Sequence, residues 1–329
     1  MRGRLSALVA VGALALPAAP ARAAGDAGQP EAKVAVGAFV PHATERPARL
    51  EKYVRRTGRR PAIILYYRPW EDGRLFDRAT LRRVTRGGAL PMVTWEPWDH
   101  PLRAIAAGRY DRYLRASAAD ARRWGRPILL RFAHEMNGDW YDWGSKKATP
   151  AEYVAAWKHV VRVFRQQRAR NVRFAWTPNV SSRGGRVLRR YYPGDRWVDW
   201  VGLSGFSWGG PWGWQSFSEI FERSYRAVTA MTHKPFMIAE TAASEVGGDK
   251  RAWIESTFRR ELPRMPRVRA VVWFNGHDKW ADWNVASSSR ALKAFRAVVA
   301  DPRYGAGPGD LMAPAHATWA GRTAVGRGR

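Results

Sequence analysis

Two glutamates are the residues of this sequence best suited to acid–base and nucleophilic chemistry. Glu135 ends the apolar run 127–135, and Glu240 lies in the run 235–241, 105 residues further along. Cleavage of a glycosidic bond with retained configuration needs two carboxyl groups about 5–5.5 Å apart, one to protonate the leaving oxygen and one to attack the anomeric carbon. An ion pair with Arg131 is the alternative interpretation of Glu135. We predict Glu135 as the acid/base and Glu240 as the nucleophile.

Tryptophan is the second prominent feature, with 18 residues in the chain. Most of them follow apolar runs, whereas Trp157 and Trp253 lie in helical stripes that are typical of a core. An indole ring offers an apolar face to a sugar and a polar edge to its hydroxyls. The substrate-binding candidates at or just after the ends of these runs are Trp95, Glu96, Trp98, His134, Asn137, Trp140, Phe206, Trp208 and Trp273.

Other catalytic motifs are incomplete. His134-Glu135 begins like a zinc-binding helix, but that motif needs a second histidine where this chain has Gly138. Residues 205–209 match the G-x-S-x-G elbow of serine hydrolases, yet a loop-forming glycine- and proline-rich stretch follows where the elbow requires a helix. We therefore predict neither a metal nor a cofactor, and we interpret His134 as a neutral hydrogen-bonding side chain near the acid/base.

Eight apolar runs alternate with amphipathic segments. Continuous apolar runs indicate strands that are buried on both faces, as in a parallel sheet. The predicted strands are Val34–Pro41, Ala62–Pro69, Leu90–Trp98, Pro127–Glu135, Val172–Asn179, Val198–Phe206, Pro235–Thr241 and Val268–Asn275. The predicted helices include Arg109–Trp124, a helix opened by Thr149-Pro150, Ser216–Met231, Asp249–Arg260 and Ser288–Val299.

This alternation predicts an α/β fold, a single-domain (β/α)₈ TIM barrel over residues 24–302, with an open doubly wound sheet as the alternative. Functional groups of such barrels lie where the strands end at the carboxyl face, which would bring the two glutamates together. Residues 303–329 are rich in Gly, Pro, Ala and Arg and are predicted to be a flexible basic tail.

The first 23 residues have the order of a secretory signal peptide: a basic start, the apolar run 5–16 and the triplet Ala21-Arg22-Ala23. A run of 12 residues is shorter than the roughly 20 that a spanning helix needs. We therefore expect a secreted protein with no transmembrane span after cleavage. The chain has no cysteine, so its stability must come from packing rather than from disulfides.

The formal net charge is +28, with 56 Lys and Arg against 28 Asp and Glu. Such an excess favours adhesion to anionic wall polymers or simply reflects arginines spread over solvated helix faces. The sequence contains no finger, basic zipper or RNA-recognition signature, so we expect no specific nucleic-acid partner. We expect a monomer.

The sequence resembles family 26 of the glycoside hydrolases, the β-mannanase family of a retaining barrel clan. The resemblance lies in six stretches that follow one another along the chain: 94–98, 131–141, 191–195, 199–203, 238–240 and 271–275. It implies that Glu135 is the acid/base, that Glu240 is the nucleophile, and that His134, Trp140 and Trp273 line the subsite of the attacked sugar.

One stretch departs from the family pattern. Where the family tends to have Gly-Leu-Asp-Gly-Tyr, this chain has Gly202-Leu203-Ser204-Gly205-Phe206. The usual tyrosine would donate to the nucleophile, and Phe206 cannot. We expect that Glu240 is oriented by packing alone and that a polar contact is lost at Ser204.

The leading hypothesis is a secreted retaining endo-β-glycanase that acts on a β-linked polysaccharide, first of all on β-1,4-mannan. Within the same fold, a β-glucanase or a β-1,3-xylanase is an alternative. A catalytically weakened glycan-binding protein is the alternative outside enzyme function, because of Ser204 and Phe206. An adhesion protein driven only by the net charge would bind in a salt-dependent way that is indifferent to both glutamates.

Overall fold

A computed structural model describes residues 32–181, 185–277 and 281–312. Eight parallel strands close into a barrel in which each strand pairs with the next along the chain and β1 pairs with β8. The strands are β1 (Ala35–Phe39), β2 (Ile63–Pro69), β3 (Leu90–Glu96), β4 (Ile128–Phe132), β5 (Val172–Trp176), β6 (Trp200–Ser207), β7 (Phe236–Ala243) and β8 (Val268–Phe274). The predicted TIM barrel is confirmed, and each observed strand overlaps its predicted run.

Helices separate the strands along the chain. They are α1 (Pro47–Thr57), α2 (Arg78–Thr85), α3 (Leu102–Ala106), α4 (Asp111–Trp124), α5 (Pro150–Gln166), α6 (Gly185–Tyr191), α7 (Phe217–Thr229), α8 (Lys250–Ser256), α9 (Ser289–Val299) and α10 (Pro308–Met312). A π-helical turn, Thr257–Glu261, extends α8. The predicted start of α5 is confirmed in detail: Thr149 and Glu152 form a capping box, and Pro150 is the first helical residue.

The apolar core has two layers, because successive side chains of a strand point to opposite faces. Leu65, Met92 and Ala239 are among the side chains that fill the inside of the barrel. The larger layer lies between strands and helices, where Trp157 and Trp253 are buried as predicted.

The barrel continues past the predicted domain boundary. The sequence assigned residues from 303 onward to a flexible tail, but Tyr304, Ala306 and Leu311 are buried, and the amide of Val34 donates to the carbonyl of Arg303 over 2.8 Å. The packed domain therefore extends at least to Met312. The rest of the predicted tail, residues 313–329, and the predicted signal peptide, residues 1–23, lie outside the described residues. No helix within the described ranges combines the length and apolar character needed to cross a bilayer.

Candidate active site

Glu240 lies within β7 and is 3 % exposed. Its Oε1 accepts a hydrogen bond from Nη1 of Arg131 over 2.5 Å, and its Oε2 accepts one from the hydroxyl of Tyr67 over 2.5 Å. The pairing of β7 shifts register next to Glu240, against β6 between Leu203 and Ser204 and against β8 after Ile238. Such irregularities re-aim side chains near active sites. The carboxylate is therefore held at both oxygens.

Arg131, on β4, is fully buried and joins four strand ends. Its guanidinium donates to the hydroxyls of Thr177, Thr94 and Ser204 over 2.7, 3.1 and 3.0 Å, in addition to Glu240. Burial, the largest single influence, would lower the Arg131 pKa, but the charges of Glu240, Tyr67 and Glu135 together with the hydrogen bond to Glu240 outweigh it, and the pKa is raised. The guanidinium is therefore a fixed positive charge beside Glu240. Arg131 is thus not the ion-pair partner of Glu135 that the alternative interpretation expected, because it pairs with Glu240 instead.

Tyr67 corrects the expectation drawn from Phe206. Phe206 carries no hydroxyl and packs instead against Trp208, Phe274 and Trp283. The missing donor is replaced by Tyr67 from β2, so Glu240 is not left to packing. Burial and the adjacent Glu240 carboxylate raise the Tyr67 pKa well above its ordinary value, which keeps the hydroxyl protonated as a donor.

Ser204 is likewise not a lost contact. Its hydroxyl accepts from Nη2 of Arg131, so a serine meets the guanidinium where the family pattern has an aspartate. With Tyr67 and Arg131, both oxygens of Glu240 accept hydrogen bonds despite the two departures from the family pattern.

Glu135 follows β4 and is 7 % exposed. Its backbone has φ 51°, an uncommon conformation for a residue with a side chain, and its amide donates to the carbonyl of Thr177 over 2.9 Å. The carboxyl group accepts from Nδ2 of Asn179 and from Nε1 of Trp140, each over 3.1 Å. Burial and, second, the charge of Glu240 raise its pKa to about 7. A carboxyl group with this pKa can both give and take a proton near neutrality.

His134 is buried next to Glu135 along the chain, and its Nε2 lies 2.9 Å from the hydroxyl of Tyr141. Burial and the charge of Arg131 lower its pKa well below the ordinary value, so the ring is neutral. Its Nδ1 is buried with no hydrogen-bond partner among the described residues. Its role toward substrate stays a prediction.

Glu96 is a third buried carboxyl group, at the end of β3. Burial raises its pKa to about 7, a hydrogen bond with Trp98 opposes that rise, and the charge of Glu240 adds to it. Trp98 is half-buried, and its ring packs on Tyr141 and Trp143. Glu96 and Trp98 thus lie beside the site. Their contact with sugar stays a prediction.

Two of the predicted substrate-binding tryptophans are core residues instead. Trp95 is fully buried against Phe164 of α5, and Trp273 is 1 % exposed against Trp253 and Phe295 of the outer helices. Both side chains point from the sheet toward the helices, because they occupy the outward positions of their strands. They cannot contact a sugar at the barrel mouth.

Asn137 is hydrogen-bonded to the loop that follows β5, and its contact with substrate stays a prediction. It exchanges two hydrogen bonds with the backbone of Asn179, over 2.9 and 2.8 Å, and so fixes the residue that donates to Glu135. Sequence reasoning missed Asn179 and Tyr67, although both stand at the ends of predicted strands, where a functional polar residue is expected.

The mouth itself is lined by half-buried rings. Phe39, Tyr67, Phe206 and Phe274 form a continuous series of ring contacts on the Glu240 side. Trp140 is 53 % exposed beside Glu135, and Trp208 is half-buried in the loop after β6. Among the described residues no cluster of His, Asp or Glu is arranged to hold a metal ion.

Comparisons with known proteins identify a matching family, sequence relatives and similar folds. Residues 110–295 match the profile of Glycosyl hydrolase family 26. The chain is 36% identical over 251 residues to endoglucanase H of Acetivibrio thermocellus, across 74% of this chain and 28% of that protein. It is 34% identical over 104 residues to a mannan endo-1,4-beta-mannosidase of Bifidobacterium adolescentis, across 29% of this chain and 10% of that protein.

The fold is similar to that of the catalytic domain of a Bacillus sp. JAMB-750 GH26 endo-β-1,4-mannanase, with a TM-score of 0.66 and 17% identity over 84% of this chain and 88% of that one. At this identity the likeness concerns the fold alone. The chain spans under a third of the length of each of the two sequence relatives.

Proposed function

Since the chain belongs to glycosyl hydrolase family 26, we propose that it hydrolyses a β-linked polysaccharide with retained configuration, with Glu135 as acid/base and Glu240 as nucleophile. The observation that carries this proposal is the contrast between the two carboxyl groups. Glu240 accepts hydrogen bonds at both oxygens, from the charged Arg131 and from the Tyr67 hydroxyl, which hold it in one orientation. The Glu135 pKa is raised to about 7 by burial. Double displacement requires one carboxyl group that can give and take a proton and a second one that is oriented for attack.

In the first step, Glu135 donates its proton to the glycosidic oxygen while a carboxylate oxygen of Glu240 attacks the anomeric carbon. The bond between that carbon and the leaving oxygen breaks, and a glycosyl ester forms on Glu240. In the second step, ionised Glu135 takes a proton from water, and the water oxygen displaces Glu240. Two inversions at one carbon give net retention.

The first substrate to test is β-1,4-mannan, since one curated relative is a mannan endo-1,4-beta-mannosidase. A β-glucan is the second candidate, favoured by the match to endoglucanase H, which covers 74% of this chain. Endo-action suits a site whose mouth carries aromatic rings on both sides of the glutamates. The intact set of donors to Glu240 argues against a decayed site that only binds glycan.

The decisive experiment measures reducing ends released from β-mannan, mixed-linkage β-glucan and β-1,3-xylan, and follows the first-formed anomer by NMR. We expect one of these polysaccharides to be hydrolysed and the β-anomer to appear first. Glu135→Ala should lower kcat about 10²–10⁴-fold, and Glu240→Ala should reduce it to background.

The control is Glu222→Gln, an exposed glutamate on α7, which should retain activity. Wild-type turnover in either Glu135→Ala or Glu240→Ala, or the α-anomer as first product, would contradict the assignment.

We also propose that residues 1–23 direct export, because their order is that of a signal peptide. N-terminal sequencing of protein recovered from a culture medium should begin at Ala24. An intact Met1 on the extracellular protein would refute cleavage at this site.

A further inference from the structure

Trp212 is held at the surface of the loop that follows β6, where its side chain is 50 % exposed. It packs against Trp208 with ring centroids 5.6 Å apart, and Val246, 54 % exposed, borders the same loop. We call Trp208, Trp212 and Val246 the Trp212 platform. Large apolar side chains exposed together in a soluble protein mark binding surfaces.

The loop that carries the platform is fixed by its backbone. The amide of Gly209 donates to the carbonyl of Gly213 over 2.9 Å, and the hydroxyl of Ser244 donates to the carbonyl of Trp208 over 2.7 Å. Gly209 has φ 68°, and a Cβ there would lie 1.8 Å from the carbonyl oxygen of Val246, so only glycine fits. The exposure of Trp212 is thus built into the loop, and little conformational entropy is lost when a ligand covers it.

A series of ring contacts leads from the platform to the nucleophile. It passes through Trp212, Trp208, Phe206, Phe274, Phe39 and Tyr67, with successive centroids 4.6–5.9 Å apart. Tyr67 ends the series with its hydroxyl on Glu240. On the other side, Tyr67 contacts His134, and the rings continue through Tyr141 to Trp140, which donates to Glu135. Trp140 and Trp212, the two exposed tryptophans among the described residues, therefore stand at the two ends of one series of ring contacts.

We propose that the Trp212 platform is a distal subsite that binds a sugar ring of the polysaccharide, beyond the sugars that are held at the two glutamates. This proposal rests on the proposed function. The occupant is an uncharged β-linked pyranose, because the platform offers two indoles and a valine, and an apolar sugar face packs on such rings. The site would select long chains over short ones.

The test uses affinity electrophoresis through gels that contain soluble β-mannan or mixed-linkage β-glucan, with all variants in the Glu240→Ala background so that no substrate is consumed. Trp212→Ala should weaken retardation about three- to tenfold, and Trp212→Phe should restore part of it. The matched control is Trp197→Ala, a half-buried tryptophan that packs among Arg162, Arg165 and Arg196 just before β6 begins. It should bind as the parent does.

In the active enzyme, the loss of kcat/KM in Trp212→Ala should be largest on polysaccharide and should shrink as the oligosaccharide shortens. An equal loss of kcat/KM at every chain length would overturn the proposed subsite. Retardation of Trp212→Ala equal to that of the parent in both gels would overturn it too. Absence of retardation of the parent in both gels would overturn it as well. The gel assay does not require turnover. Failure of hydrolysis alone would therefore contradict the proposed function, whereas the proposed subsite is tested separately by binding.

Discussion

The hydroxyl of Tyr67 on β2 lies 2.5 Å from Oε2 of Glu240 on β7, although 173 residues separate them along the chain. Tyr67 is thus the residue that compensates for Phe206. A hydrogen bond to a charged group contributes about 1.5–3 kcal/mol, so its loss should have a measurable effect on Glu240, the proposed nucleophile.

Tyr67→Phe should lower kcat about 10–100-fold with a smaller change in KM, because the donor acts on Glu240 rather than on substrate binding. The measurement is kcat and KM on the best polysaccharide. Tyr66→Phe is the matched control: Tyr66 is the preceding residue, and its side chain belongs to the outer core layer. A wild-type kcat in Tyr67→Phe would show that the hydroxyl has no positioning role.

The rate should fall as pH rises through about 7, because Glu135 must be protonated for the first step and its pKa is raised to that value by burial. The measurement is the basic limb of kcat/KM on the best polysaccharide. Glu96 has a pKa of about 7 as well, so Glu96→Gln serves as the control and should keep that limb. If the limb disappears in Glu96→Gln, the titrating acid is Glu96 and not Glu135.

Glu135 should also reduce stability at alkaline pH. Its folded pKa of about 7 lies above the ordinary 4.5, so the folded state binds more protons between these values and stability falls as pH rises through that window. Glu135→Gln cannot ionise and should raise the free energy of unfolding at pH 8 by up to about 3 kcal/mol, with no gain at pH 4. Urea denaturation at both pH values checks this, with the exposed Glu222→Gln as control. An equal gain in the free energy of unfolding at pH 4 would show that the stabilisation by Glu135→Gln does not come from the loss of an ionisable group.

Lys250, at the start of α8, should hold the loop after β8. It is fully buried, and its ammonium donates to the carbonyls of Asp282 and Asn284 and to the hydroxyl of Ser287, over 3.1, 2.7 and 3.0 Å. Lys250→Met would leave these acceptors unpaired and should lower the free energy of unfolding by about 2–4 kcal/mol, as measured by denaturation.

Activity should fall together with stability in Lys250→Met, because the same loop carries Trp283, which packs on Phe206 and Trp208. Lys293→Met, an exposed lysine on α9, is the control and should match wild type. Wild-type stability of Lys250→Met would contradict the role of Lys250 in holding the loop after β8.

Much of the fold follows from local pattern. Strands β1–β8 coincide with apolar runs, because a strand buried on both faces must be apolar throughout. The start of α5 follows from Thr149, Pro150 and Glu152, whose cap uses only neighbouring residues. Glu135 and Glu240 could also be placed at one face of the protein, because each lies at or near the carboxyl end of a predicted parallel strand.

Which side chain faces the mouth was decided by the tertiary structure. Side chains alternate along a strand, so a shift of one position separates Phe274, at the mouth, from Trp273, in the core, and a motif cannot distinguish them. The partners of Glu240 depend on barrel closure, which brings Tyr67 and Arg131 from distant strands to one carboxylate. The sequence thus determined which residues could do chemistry, and packing across the closed barrel determined which of them meet.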